Sequence, residues 1–162
     1  MVFQRKKHYL NTMHLNNCYT LKMNFTQRSA TYEDKVWLEP LYESLMRPYV
    51  EQSHKWDETL FDKYFEPEKV SIIQVDGKDI GMLQVEHLEN HIYLGDIQIG
   101  EAYQGKGIGS NILQSLIKKA QQSALPIRLK VLKVNPARNL YERFGFKLSE
   151  EQEYSVVLEY KV

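Results

Sequence analysis

The sequence predicts an α/β fold, and three observations support that prediction. Two apolar runs, Val70 to Val75 and Asp79 to Val85, flank Asp76-Gly77, a strong short-range hairpin signal. A further run, His91 to Ile99, leads into the Gly-rich stretch Gln104-Gly105-Lys106-Gly107-Ile108-Gly109-Ser110, and an amphipathic helix, from about Ile108 to Gln122, leaves it. Pro126 breaks that helix, and Ile127 to Leu132 then reads as a buried strand. Strand, helix and strand therefore form a parallel crossover.

The 162 residues suit one domain with a sizeable core. Lys+Arg and Asp+Glu balance at 21 each, so no global field draws the chain to nucleic acid or a membrane. No apolar run is long enough to span a bilayer. The lone cysteine, Cys18, has no partner for an internal disulfide, which fits a reducing cytoplasm. Residues 1–22 read as a polar N-terminal extension: Arg5-Lys6-Lys7 is followed by Asn11, His14, Asn16 and Asn17, without the apolar core of a signal peptide. The domain proper is expected over 23–162. The leader is either an addition before it or an arm packed upon it.

Within the domain, Asn24 to Arg28 reads as a strand. From Thr31, Val36, Leu38, Leu41, Tyr42 and Leu45 recur at helical spacing, and Pro48 is expected to end that helix. Tyr49, Trp56, Phe61, Tyr64 and Phe65 follow, with a second short helix over roughly Asp57 to Phe65. These aromatics are either core or a wall for an amine, whose cation an aromatic face attracts; Trp56 is the candidate for that wall. A second turn falls at Glu89-Asn90. In the strand after it, Ile92 and Leu94 alternate, and Ile97 and Ile99 then alternate on the opposite parity. Either a β-bulge at Gly95-Asp96 absorbs the slip, or Tyr93 belongs to the later phase and there is none. Beyond the Gly-rich turn, Ile108, Ile112, Leu113, Leu116, Ile117 and Ala120 form one stripe, with Lys118 and Lys119 in the later turns. In the last helix Asn135 is a good N-cap, Pro136 fits the first position and Gly145 fits the C-terminal cap. Ala137, Leu140, Tyr141 and Phe144 share its face. Glu153 to Tyr160 closes the chain as a strand.

A Gly-rich strand-to-helix turn presents backbone N–H groups to an anion, here a phosphate or pyrophosphate. The spacing separates three families. A dinucleotide fingerprint needs its third glycine one residue later. Gly100 to Lys106 follows a Walker A loop as far as its Lys, but Gly107 replaces the hydroxyl residue that should hold Mg²⁺. The pattern Q/R-x-x-G-x-G/A is matched by Gln104, Gly107 and Gly109. It resembles the acetyl-CoA-binding motif of the GNAT family of N-acetyltransferases. Asn135 to Phe146 resembles that family's second signature, N-x-x-[AR]-x-x-x-Y-x-x-x-G-F, at the expected distance.

The resemblance, to small bacterial-type members, covers roughly Asn24 to the C-terminus. It implies a mixed, mostly antiparallel central sheet with helices on both faces, and acetyl-CoA, the acyl-donor cosubstrate, between two splayed strands. It also implies that Gln104, Gly105, Lys106, Gly107, Ile108, Gly109 and Ser110 cradle the pyrophosphate. Ile97, Gln98 and Ile99 would pair with the pantetheine amides, Asn135 and Arg138 would hold the cofactor, and Tyr141 would lie near the thioester sulfur. From the residues alone, Asn135 is equally a helix cap and Tyr141 equally a core aromatic.

The reaction implied is acetyl transfer to a primary amine of a small molecule or peptide. The amine must be neutral to attack, so a base or a desolvating pocket is needed. Asp96 is the candidate base, on the strand where related aminoglycoside acetyltransferases carry an acidic residue. Glu86, Glu101 or a water chain compete, and Asp96 is equally a bulge residue bonding its own backbone. A bulge N–H near Ile97 would serve the oxyanion. No metal is expected, and the protein is expected as a monomer or homodimer. The alternatives are a nucleotide-binding phosphotransferase, or a CoA-binding module without catalysis.

Overall fold

The computed structural model describes residues 24–162, so the expectations for residues 1–22 and Cys18 lie outside the described residues. In chain order the elements are β1 (Thr26–Ser29), α1 (Lys35–Val50), α2 (Leu60–Tyr64), β2 (Val70–Val75), β3 (Lys78–His87), β4 (Ile92–Ile99), α3 (Ile108–Ser123), β5 (Ile127–Leu132), α4 (Ala137–Arg143), β6 (Lys147–Glu151) and β7 (Ser155–Tyr160). The strands form one seven-stranded sheet in the order β1-β2-β3-β4-β5-β7-β6. Every neighbouring pair is antiparallel except β4 and β5, which are joined through α3 as the crossover requires.

Helices cover both faces of the sheet. Adjacent residues of β2 point to opposite sides. Ile73 and Val75 join the larger core with Ile112, Leu113 and Leu116 of α3, while Ile72 packs with Leu38 of α1, Phe61 of α2 and Met82. The β2–β3 hairpin turns through Asp76 and Gly77 with φ of 50° and 74°, the two positive values of a type I′ turn. Arg28 clamps the sheet edge to the start of α1, donating to the carboxylates of both Asp34 and Asp79. Its guanidinium, with help from burial-opposing bonds to Thr31 and Trp37, holds the Asp34 carboxyl well below the usual range.

Two expectations need correction. Pro48 does not end the first helix, which runs on to Val50. Proline removes only its own N–H, and Arg47 reaches both Glu43 and Glu51, holding the turns on either side of Pro48 together. The closing strand is half of a hairpin: β6 precedes β7 and has every residue exposed, so no apolar alternation marks it.

The bulge is present. Gln84 faces Asp96 and Val85 faces Leu94, which leaves Gly95 as the extra residue on β4. Ile92 and Leu94 before it, and Ile97 and Ile99 after it, therefore face the same core despite their opposite parity.

Gly81 lets β3 and β4 lie close together: a Cβ there would sit 2.0 Å from the Gln98 carbonyl oxygen. That atom is backbone and has nowhere to swing. We expect Gly81→Ala to destabilise the fold by roughly 3 kcal/mol, the upper part of the range for overpacking. The urea midpoint reads this out, and an unchanged midpoint would contradict this register.

Candidate active site

The site begins where two strands part. Ile92, Tyr93 and Leu94 of β4 pair with Ile127, Arg128 and Leu129 of β5, and the parallel ladder stops there, at the bulge. Beyond it, Asp96 to Ile99 pair only with β3, and Lys130 to Leu132 pair only with β7. The two strands thus enclose a wedge with its apex beside Gly95. Unpaired backbone along a strand edge is a template for an extended ligand carrying amides.

The Gly-rich turn closes the wide end of the wedge. The Gly100 N–H donates to the Ile80 carbonyl at 2.8 Å, and a short 3₁₀ turn over Glu101–Tyr103 follows. Gln104 does not reach into the loop's mouth. Its Nε2 donates to the Ile99 carbonyl at 2.7 Å, tying the turn to the end of β4. Gly105 and Gly107 have φ of 70° and 81°, values that only glycine adopts cheaply. Gly107 is the residue before α3, and its carbonyl accepts the first helical bond, from the Asn111 N–H. No acceptor among the described residues takes the N–H groups of Ile108, Gly109 or Ser110. At Gly109 a Cβ would make only ordinary contact, 3.6 Å from Leu140 and 3.7 Å from Ile99. The Lys106 ammonium lies 5.4 Å from the centre of the Tyr103 ring, beside the turn. Free amides at the start of a 16-residue helix, with a cation nearby, suit a phosphate. Gly107 offers no hydroxyl for Mg²⁺, so the phosphotransferase alternative finds no Walker site here.

Across the wedge, α4 follows β5. The Asn135 side-chain oxygen accepts the Ala137 N–H at 2.9 Å, so it caps α4 from two residues ahead, across Pro136, and its amide N–H₂ makes no bond among the described residues. Arg138 pairs with Glu142 at 2.7 Å. Gly145 ends the helix, with Phe146 N–H donating to the Tyr141 carbonyl and Gly145 N–H to that of Glu142. That cap seats Phe146 against the Tyr141 ring, with centroids 5.8 Å apart.

Tyr141 is 8% exposed, and its hydroxyl has no hydrogen-bond partner among the described residues. No fully buried side-chain polar atom there lacks a partner, so this hydroxyl reaches an accessible edge. Burial, and then the charge of Asp96, push the phenol well above its ordinary range. Asp96 itself accepts a bond from Gln98 Nε2 at 2.7 Å. Burial pushes the Asp96 carboxyl up to about 6, against the opposing pull of that bond. Its charge is also felt by Tyr42 and Tyr93. The competing carboxylates are placed otherwise: Glu86 pairs with Lys69 at 3.1 Å, and Glu101 is exposed on the 3₁₀ turn.

Past the bulge, Asp96 and Gln98 point away from the α3 face, towards α1 and α2. Asp96 opens there onto a narrow cleft lined by Tyr42, Phe61, Tyr64, Phe65, Met82 and Gln84. Neither Tyr42 nor Gln84 stands out as a site residue in the sequence. Cross-strand pairing of Gln84 with Asp96 was the available signal, once the bulge fixed the register. Trp56 is not in this cleft. It is 6% exposed, its ring centre is 6.3 Å from that of Tyr42, and it lines an adjoining cleft between α1 and α2.

Solved structures share this architecture. The PaiA N-acetyltransferase of Thermoplasma acidophilum, in complex with coenzyme A, superposes with a TM-score of 0.71 at 18% identity, covering 86% of this chain and 100% of that one. The ribosomal-protein-S18-alanine N-acetyltransferase of Escherichia coli gives 0.59 at 18%, over 86% and 94% of the two chains. A GNAT family acetyltransferase of Elizabethkingia anophelis with acetyl-CoA bound gives 0.63 at 16%, over 86% and 99%. No curated protein sequence matches the chain. No helix among the described residues is long and apolar enough to cross a membrane. The model of the acetyltransferase (GNAT) family matches residues 38–146, a span holding the splayed strands, the Gly-rich turn and the α4 signature, and the chain therefore belongs to the GNAT family of acetyltransferases.

Proposed function

We propose that this protein transfers the acetyl group of acetyl-CoA to a primary amine of a small molecule or peptide, working in the cytoplasm as a monomer or homodimer. The wedge is the observation that supports this most: the β4–β5 ladder stops at the bulge beside Asp96, and β4 then runs unpaired on that edge to the free amides of the Gly-rich turn. Its parts fit the donor. The amides of Ile108, Gly109 and Ser110 would hold the pyrophosphate. The free edge of Ile97, Gln98 and Ile99 would pair with the pantetheine amides, and the Asn135 N–H₂ would bond to the same arm. Arg138 would have to release Glu142 to take part. Bound there, acetyl-CoA supplies an activated thioester.

The chain's own groups do the rest. Asp96 accepts a proton from the incoming ammonium, Tyr141 offers its hydroxyl to the departing sulfur, and a backbone N–H just past the bulge faces developing negative charge. A non-catalytic CoA-binding module would have no use for a buried, raised carboxyl at the apex.

Thermal unfolding tests this. At about 100 times its dissociation constant, acetyl-CoA should add about 2.7 kcal/mol, or roughly 5–10 °C in Tm for a chain of this size. ATP with Mg²⁺ should add nothing. In Gly107→Ala the left-handed conformation costs about 1–2 kcal/mol or is abandoned, turning the amides away. A folded Gly107→Ala protein with full acetyl-CoA affinity, or stabilisation by ATP alone, would defeat the proposal.

A further inference from the structure

Gln98 is a polar residue on an apolar patch. Across the β3–β4 ladder it faces Met82, which packs with Leu38, Phe61, Val70 and Ile72. Gln98 is 7% exposed. A buried amide costs free energy unless it is bonded, and a Met or Leu here would continue the apolar cluster. The one bond of its side chain among the described residues runs from Nε2 to Asp96 Oδ1, two residues back on the same side of β4. An ionised carboxylate only accepts, so the amide must turn its N–H₂ towards it.

Asp96 depends on Gln98 in turn. Among the described residues its side chain has no other hydrogen-bond donor and no ion pair. Its titratable neighbours are mostly phenols: Tyr42 on α1, Tyr64 on α2, Tyr93 on β4 and Tyr141 on α4. Phenols stay neutral up to about pH 8. Glu86 on β3, opposite Tyr93, is held by Lys69. Arg128 on β5, also opposite Tyr93, is bonded to Glu159, and Lys130 is exposed on the far limb of the wedge. One amide thus supplies the only direct support for this carboxylate. The second oxygen, Oδ2, has no partner. No fully buried side-chain oxygen among the described residues lacks one, so Oδ2 keeps an accessible edge.

We infer that Gln98 is a positioning residue for the proposed reaction: its amide holds Oδ1 and fixes the carboxyl plane, so that Oδ2 is the oxygen presented to the acceptor's proton. The proton passes from the ammonium nitrogen to Oδ2, and its bonding pair stays on nitrogen as the attacking lone pair. Gln98 neither gains nor loses a proton. The inference rests on the acetyl-transfer reading and adds the group that orients its base.

The test is Gln98→Met, which keeps the side-chain length and removes the donor. One readout is the urea midpoint as a function of pH, which needs no activity. The Asp96 carboxyl sits at about 6 in the fold, above its unfolded value, so stability falls as pH rises from about 4 through that value. In Gln98→Met the end of this fall should move up by about one to two pH units, the worth of a hydrogen bond to a charged group. In an Asp96→Asn background the same substitution should leave no such shift. The other readout is kcat/KM for a primary amine, whose rise with pH should move up by the same amount. The KM for acetyl-CoA should not change, since Gln98 would meet the donor only through its backbone. Gln98→Glu keeps the length and adds a like charge, so it should move both curves in the same direction even if the Met variant fails to fold. Stability curves of unchanged shape in the folded variants would overturn the inference and leave acetyl transfer standing. A moved stability curve with an unmoved rate profile would do the same, because the pair would then be structural. Acetylation of no amine, in a protein that acetyl-CoA still stabilises, would overturn the proposed reaction and this role with it.

Discussion

Tyr141→Phe is expected to lower kcat about 10²-fold while leaving the unfolding midpoint nearly unchanged. The two halves of that expectation have separate causes. Packing is retained, because the ring keeps its contact with Phe146 and the hydroxyl bonds to no protein group among the described residues. A hydroxyl with no protein partner contributes little to stability, whereas the ring that carries it stays packed in the core. Chemistry would be lost if the proposed role holds, because one oriented donor to developing charge on the departing sulfur is worth about 2.7 kcal/mol. Full proton donation is the weaker role. A reference phenol near ~10 against a thiol near ~8.5 already makes transfer uphill by about 2 kcal/mol. Burial and the charge of Asp96 raise the Tyr141 phenol further, which widens the gap. In the proposed reaction the residue would therefore act as a hydrogen-bond donor, with its proton transferred late or not at all. A Tyr141→Phe enzyme with wild-type kcat across the pH range would remove it from the reaction.

The elements whose apolar pattern faces a core were legible in the sequence. β2 and β5 match their expected limits, since both alternate or run apolar between clear turn residues. The bulge was legible too, because a parity slip between Leu94 and Ile97 has few physical causes. β6 was not: Lys147, Glu150 and Glu151 carry no signal of burial, and the strand is held only by pairing with β7. The end of α1 was misplaced because Pro48 is a strong local breaker, and the Arg47 pairs that span it are a tertiary fact. In the site, the anion turn was written in its glycines. The apposition of Tyr42, Phe61 and Gln84 to Asp96 was not, because it depends on which face α1 and α2 cover. Trp56, expected as a wall for the acceptor, lines a cleft that adjoins the Asp96 cleft and is not the same one.

Asp96→Asn separates rate from stability more sharply than any other substitution here. Burial raises the carboxyl from an ordinary 3.8 to about 6. The folded state thus binds this proton more tightly than the unfolded chain does, and the sign follows. Between about pH 4 and pH 6 the wild-type protein loses stability as pH rises, by up to about 3 kcal/mol at about 1.36 kcal/mol per pKa unit. Above pH 6 that cost is present in full. Asn removes it, so Asp96→Asn should be as stable as wild type near pH 4 and more stable at pH 7. Activity should move the other way. An alkylammonium near ~10.4 is rarely neutral at pH 7, and a carboxylate raised to about 6 takes its proton more readily than an ordinary one. Without that base, kcat/KM at pH 7 should fall by roughly 10²-fold or more. It should then climb about tenfold per pH unit with the free-amine fraction, meeting the wild-type curve near pH 10. Wild type should reach its plateau at lower pH, after a rise with a midpoint near about 6. A variant that gains stability and loses neutral-pH rate marks Asp96 as a group held at a cost for its chemistry. A variant with the wild-type pH profile would pass the base to a water chain, and a variant less stable at pH 7 would show the carboxylate to be structural.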